Sequence, residues 1–134
     1  MGYKKLFIPR KLSDDDSRYS DWNGVQPLID GVRINQYDME GRKQGIWYGY
    51  HENGNVYFKG SNVNDKLDGI WEEYWENGNL RFKGNYINGD RVGKWESYYE
   101  TGELWSKGNF INDKRDGIWE FYYDNGKLFN KRLF

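Results

Sequence analysis

Gly69-Ile70-Trp71-Glu72-Glu73-Tyr74-Trp75-Glu76-Asn77-Gly78-Asn79-Leu80-Arg81-Phe82-Lys83-Gly84 decides the fold of this chain. Two aromatic runs flank an Asn-Gly pair. That dipeptide between alternating rings is the strongest short-range hairpin signal, because a type I′ turn needs positive φ at both central residues. The stretch has three partners at 24-residue steps: Gly45-Ile46-Trp47, Gly93-Lys94-Trp95 and Gly117-Ile118-Trp119. Each triplet leads to a tyrosine (Tyr50, Tyr74, Tyr98, Tyr122) and then a turn pair (Asn53-Gly54, Asn77-Gly78, Thr101-Gly102, Asn125-Gly126). An aliphatic residue follows (Val56, Leu80, Leu104, Leu128), then a lysine (Lys59, Lys83, Lys107, Lys131), with Gly60, Gly84 and Gly108 after three of those lysines. Identity at so many positions of one fixed period marks a repeat architecture.

Taking Asn53-Gly54 as a two-residue loop sets the register. Glu52 then faces Asn55, Tyr50 faces Tyr57, and Tyr48 faces Lys59. Later units pair Glu72 with Lys83, Glu96 with Lys107 and Glu120 with Lys131, and recurring opposite charges support the alignment. Trp47, Trp71 and Trp95 face Gly60, Gly84 and Gly108, so each indole is expected to cover the glycine of its own hairpin; Arg132 takes that place in the last unit. Alternation assigns Trp47, Trp71, Trp95, Trp119, Val56, Leu80, Leu104, Leu128, Trp75, Tyr99 and Tyr123 to a core face. The other face carries the Glu–Lys pairs and the column Tyr50, Tyr74, Tyr98, Tyr122, with Tyr57, Arg81, Trp105 and Phe129 opposite it. The expected fold is all-β: a single elongated, twisted antiparallel sheet of tandem 24-residue β-hairpin repeats.

The repeats divide as 45–68, 69–92, 93–116 and 117–134, linked by segments such as Asn64 to Asp68 and Asn88 to Val92. Met39 to Gln44 matches Val63 to Asp68, which places a half-repeat at 33–44. Residues 1–32 lack the pattern and are expected to form an irregular N-terminal cap, with Phe7, Ile8, Leu12, Trp22, Leu28 and Ile29 over the end of the core.

Composition narrows the function. Aromatic residues are 19% of the chain and hydrophobic residues only 37%, so the core must be built from rings. Lys and Arg number 20 against 21 Asp and Glu, which leaves no positive field to draw a nucleic acid or anionic lipid. The absence of Cys excludes disulfides, thiolate metal sites and cysteine nucleophiles. No apolar run reaches the length of a membrane span, and the few apolar residues before Pro9 fall short of a signal-peptide core. A cytoplasmic location is the expectation.

The pattern G-x-W-x-x-Y-x-x-N-G-x-L-x-x-K-G, as in Gly69 to Gly84, resembles the variant MORN repeat (membrane occupation and recognition nexus) over residues 33–134. The subgroup it resembles is the antitoxin- or immunity-like one of bacteria and their phages. That resemblance implies a cytoplasmic, catalytically silent sheet that binds proteins.

Chemical candidates are few. His51 is the only histidine and fills the slot of Trp75, Tyr99 and Tyr123, which makes it a ring substitute rather than a ligand or base. Glu72, Glu96 and Glu120 repeat one environment, whereas acid–base catalysis needs two distinct ones. Asp65, Asp68, Asp113 and Asp116 lack calcium-loop order and stand beside Lys66, Lys114 and Arg115. No catalytic, metal or cofactor site is expected. Tyr50, Tyr57, Tyr74, Arg81, Tyr98, Trp105, Tyr122, Phe129 and Trp22 are the candidate contacts to another protein, since Tyr, Trp and Arg dominate interface hot spots. Two other readings stay open: self-association in an assembly role, and an aromatic stripe that stacks carbohydrate or choline.

Overall fold

In the computed structural model, which describes residues 28–29 and 31–134, strand follows strand without a helix. β1 (Leu28–Ile29) and β2 (Val32–Arg33) form a small ribbon. The remaining strands are β3 (Gln36–Tyr37), β4 (Lys43–Tyr50), β5 (Val56–Val63), β6 (Lys66–Tyr74), β7 (Leu80–Ile87), β8 (Asp90–Tyr98), β9 (Leu104–Ile111), β10 (Lys114–Tyr122) and β11 (Leu128–Leu133). They make one nine-stranded antiparallel sheet in chain order, the tandem-hairpin sheet that the repeat implies. Of the expected cap, Leu28 and Ile29 form β1, which pairs with β2, while residues 1–27, Trp22 included, lie outside the described residues.

Two kinds of turn alternate, one on each rim of the sheet. Asn64-Asp65, Asn88-Gly89 and Asn112-Asp113 have positive φ at both residues and join strands as two-residue type I′ loops. The Asn-Gly hairpins differ from the two-residue reading. Gly54 has φ 91°, but Asn53 is not left-handed. The Gly54 amide donates to the His51 carbonyl at 2.9 Å and the His51 amide to the Asn55 carbonyl at 2.8 Å. This is a type I turn followed by a left-handed glycine, a three-residue loop of Glu52, Asn53 and Gly54. Gly78, Gly102 and Gly126 repeat it. The Asn53 side chain serves the turn by accepting from the Asn55 amide at 2.9 Å.

The extra loop residue is absorbed by a bulge. Gly49 pairs with Phe58 and Tyr50 with Val56, so Tyr57 has no partner across the strand pair. Beyond the bulge the register is the expected one, with Tyr48 opposite Lys59 and Trp47 opposite Gly60. On the turn side it is not, and two sets of residues exchange faces. Val56, Leu80, Leu104 and Leu128 pair with Tyr50, Tyr74, Tyr98 and Tyr122 and leave the tryptophan face. Tyr57, Arg81, Trp105 and Phe129 join it instead. Their neighbours there are His51 at 4.8 Å, Trp75 at 4.5 Å, Phe121 at 6.4 Å and Tyr123 at 5.0 Å.

The indole–glycine contact also differs from expectation in its partner. Gly60 pairs with Trp47 on one side and Trp71 on the other, and the ring that lies on it is that of Trp71, from the next repeat. Trp95 lies likewise on Gly84 and Trp119 on Gly108. A second bulge aims each indole: Gly60 pairs with Trp71 but Asn62 with Leu67, and Gly69 at φ 109° carries the surplus residues. The stacking therefore joins repeats rather than closing a hairpin.

Around these contacts the rings form a chain. Phe58 stacks on Trp71 at 4.9 Å, and Tyr86 meets Trp95 edge-on at 5.1 Å. Phe110 then lies between Trp95 at 5.9 Å and Trp119 at 5.0 Å. Each such pair contributes about 0.5–1.5 kcal/mol beyond its buried area. Arg91 over Phe110 and Arg115 over Trp119, at 4.2 and 4.8 Å, shield the rings from water. Opposite Trp119, Arg132 packs at 4.9 Å on Phe134.

The half-repeat begins with a third version of the hairpin. The Gly41 amide donates to the Asp38 carbonyl and the Asp38 amide to the Arg42 carbonyl, giving a three-residue loop where Val63 to Lys66 has a two-residue one. The Asp38 carboxylate closes this turn by accepting from the Glu40 and Arg42 amides, Arg42 Nε and Gln44 Nε2, all within 3.0 Å. The Arg42 amide and then Gln44 hold its pKa down at about 2.

Gly84→Ala would bring a methyl group closer than 3.0 Å to Trp95 and is expected to cost about 1–3 kcal/mol in urea unfolding. In a Trp95→Ala background the same change should cost almost nothing, the non-additivity that identifies direct contact. Asp38 has a folded pKa below its ordinary 3.8, so its contribution is complete above that pH and is lost as pH falls toward about 2. Asp38→Asn should remove that part of the acid dependence in a pH series of denaturation midpoints.

Candidate functional site

The rim of three-residue turns holds the molecule's most individual chemistry. One ring from each repeat reaches across to the next: His51 Nε2 donates to the Tyr74 carbonyl at 2.8 Å, Trp75 Nε1 to Tyr98 at 3.1 Å, and the Tyr99 hydroxyl to Tyr122 at 2.7 Å. Three different side chains thus perform one structural task, and His51 is a hydrogen-bonding ring among them. Asn53 and Asn55 both donate to the Glu76 carbonyl at 2.8 Å, and Asn77 and Asn79 reach Glu100 in the same way. The first three turn tips are stitched into a polar ladder. Among the described residues no group of three His, Asp or Glu side chains is placed to hold a metal.

Between the second and third hairpins this rim opens into a cleft of about 690 Å³. Trp75 and Arg81 form one wall and Trp105 the other, with Phe82 and Ser97 between them and Glu100 and Asp124 at the mouth. The Arg81 guanidinium lies 4.5 Å from the Trp75 ring and 3.6 Å from the Glu73 carboxylate. Burial pushes the Glu73 pKa up, and Arg81 opposes that shift. Trp105 is 45% exposed and borders open space.

The expected contact residues divide between the faces. Tyr57, Arg81, Trp105 and Phe129 line the rim on the tryptophan side, all exposed. Tyr50, Tyr74, Tyr98 and Tyr122 are half-buried on the opposite side. Burial, and secondarily Glu72 and Glu96, raise the Tyr74 and Tyr98 pKa values. That face also carries the charge pairs. Glu120 binds both Lys107 at 3.6 Å and Lys131 at 3.8 Å, and Glu72 reaches back to Lys59 at 4.0 Å, so these pairs tie repeats together as well as hairpins. Two features were not read from the sequence. One is the Glu73–Arg81 pair, which the bulge brings to one face. The other is an aliphatic stripe, with Ile70 and Ile118 60% and 61% exposed beside Val63, Ile87 and Ile111, on the tyrosine face. Its signal was present in the regular spacing of those residues.

His51→Phe keeps the ring but removes the donor to the Tyr74 carbonyl. It should cost about 1 kcal/mol in chemical denaturation, while Tyr99→Phe should cost a similar amount two repeats further on. A neutral result at both sites would mean that the rim ladder contributes packing alone.

The model of the MORN repeat variant family matches residues 43–64, 67–88, 91–112 and 115–134. Each of the first three matches runs from the strand before a three-residue turn to the two-residue turn that ends the hairpin. A search of curated proteins returns no match.

Proposed function

The chain belongs to the MORN repeat variant family, and from that premise we propose that it is a non-catalytic protein-binding protein that acts by stoichiometric occupation of a partner's surface. MORN repeats are a non-enzymatic type of repeat and commonly serve as binding modules. An immunity- or antitoxin-type factor acting in the cytoplasm fits this reading, because inhibition by a binder requires only a large complementary surface.

One observation carries the proposal: among the described residues, this single-layer sheet leaves large apolar side chains uncovered on both faces. Tyr57, Trp105 and Phe129 stand out from the tryptophan face, Ile70 and Ile118 from the other. Exposed apolar groups of this size on a rigid scaffold mark interaction surfaces. The bulge position also varies as Tyr, Arg, Trp and Phe while the aliphatic residue before it and the lysine two residues after it repeat, which lets one scaffold present a partner-specific surface. A second reading, self-assembly, draws on β11, whose six residues are all exposed along an open strand edge.

Purification of a tagged copy from its native cells should yield one stoichiometric protein partner. Trp105→Ala should lose that partner by about 2 kcal/mol or more if it is a hot spot, with the circular dichroism of the fold unchanged. Recovery of nothing but the chain itself, as a defined oligomer in light scattering, would replace the proposal with assembly.

A further inference from the structure

The cleft beside Trp105 has a cause in the sequence. Phe58 in β5 and Phe82 in β7 fill one position of the repeat, where β9 has Ser106. One strand over, β8 has Ser97 where β6 has Glu73 and β10 has Phe121. Ser97 pairs with both Phe82 and Ser106, so two small residues meet where the second hairpin sets Glu73 against Phe82 and the fourth Phe121 against Asn130; Ser97 lines the cleft, and Ser106 is buried beside it. The gap is what exposes the flank of Trp105.

Its charge is one-sided. Arg81 is the cation of the wall, and it is already engaged by Glu73 and Trp75. Glu100 and Asp124 at the mouth enter no ion pair among the described residues. Among the described residues, Trp47, Trp75 and Trp119 each carry a basic side chain over the ring; Trp71, Trp95 and Trp105 carry none, and of these three Trp105 is the exposed one. An unoccupied indole beside two unpaired carboxylates is the arrangement that attracts a guanidinium or ammonium group.

The same bias runs along the whole rim. Glu52, Glu76, Glu100 and Asp124 open the four three-residue turns, and with Glu103 they face only Lys127 among the turn residues. The opposite rim interleaves its charges, as in Asp65-Lys66 and Asp90-Arg91, and pairs Arg91 with Asp113 at 2.6 Å. Successive hairpins are two strand spacings apart, about 10 Å, which an extended peptide covers in about three residues.

We infer that the cleft receives an arginine or lysine side chain from a basic polypeptide segment lying along this acidic rim. The inference rests on the protein-binding reading above and specifies the partner's chemistry. The cation stacks on Trp105 and faces Glu100 and Asp124, while further basic residues at about three-residue intervals meet Glu76 and Glu52.

A hexa-arginine peptide titrated into the full chain, followed through the indole proton signals by NMR, tests it. The Trp105 signal, identified by its loss in Trp105→Phe, should shift and saturate. Glu100→Gln with Asp124→Asn should weaken binding about tenfold, while Asp90→Asn with Asp116→Asn, on the other rim, should leave it unchanged. Equal weakening by both pairs would mean unspecific charge attraction and overturn the inference, as would an unmoved Trp105 signal. A native partner that survives the Glu100/Asp124 change would also overturn it while leaving protein binding intact. Saturable peptide binding with no native protein partner would sustain the cleft and remove the broader reading.

Discussion

The sheet depends on one contact, repeated: the indole of each repeat lying flat on the glycine of the repeat before it. A lone β-hairpin has little to bury, and this chain has no second layer of structure among its described residues. The rings therefore have to be the layer. Trp71, Trp95 and Trp119 each cover backbone that belongs to a neighbour, which converts marginal hairpins into a mutually dependent series. Three sequence features serve that contact. A glycine without Cβ lets the ring approach, a left-handed glycine two residues before the tryptophan bends the strand, and an arginine or lysine stem closes over several of the rings.

Much of this was legible in the amino-acid sequence. The fixed period, the pairing of Trp47 with Gly60 and the alignment of glutamates with lysines all follow from two-residue alternation, which is unforgiving along a strand. The turn was the weak point, because Asn-Gly suits both a type I′ loop and a type I turn followed by a left-handed glycine. Thr101 carried the missing clue: a β-branched residue is a poor choice for positive φ, so Thr101-Gly102 argued against the two-residue loop. The error was confined to the turn side of the bulge, where it exchanged Val56 with Tyr57 and their equivalents between faces. The partner of the indole was illegible for a different reason. Gly60 has a tryptophan on each side, and only side-chain direction decides which one lies on it.

The site was legible as residues but not as a place. Tyr57, Arg81, Trp105 and Phe129 stood out because they vary on a constant scaffold, yet the cleft needs Ser97, which carries no signal alone. Ser97 matters through what it omits. The polar ladder shows the converse: His51, Trp75 and Tyr99 look unrelated in sequence and make equivalent bonds to successive carbonyls.

Because every interface in the array joins equivalent positions one step apart, the chain behaves as a string of interchangeable cassettes. Excision of residues 69–92 would fuse Asp68 to Gly93, and Trp95 would come to rest on Gly60 as Trp71 does now. Turns, bulges and ring order would all heal across the junction, so length can change by unequal crossover without a fold having to be reinvented. The cleft is the exception. Tyr57 would replace Arg81 across from Trp105, and a surface that depends on which two neighbours meet would be gone while the scaffold closed over the loss.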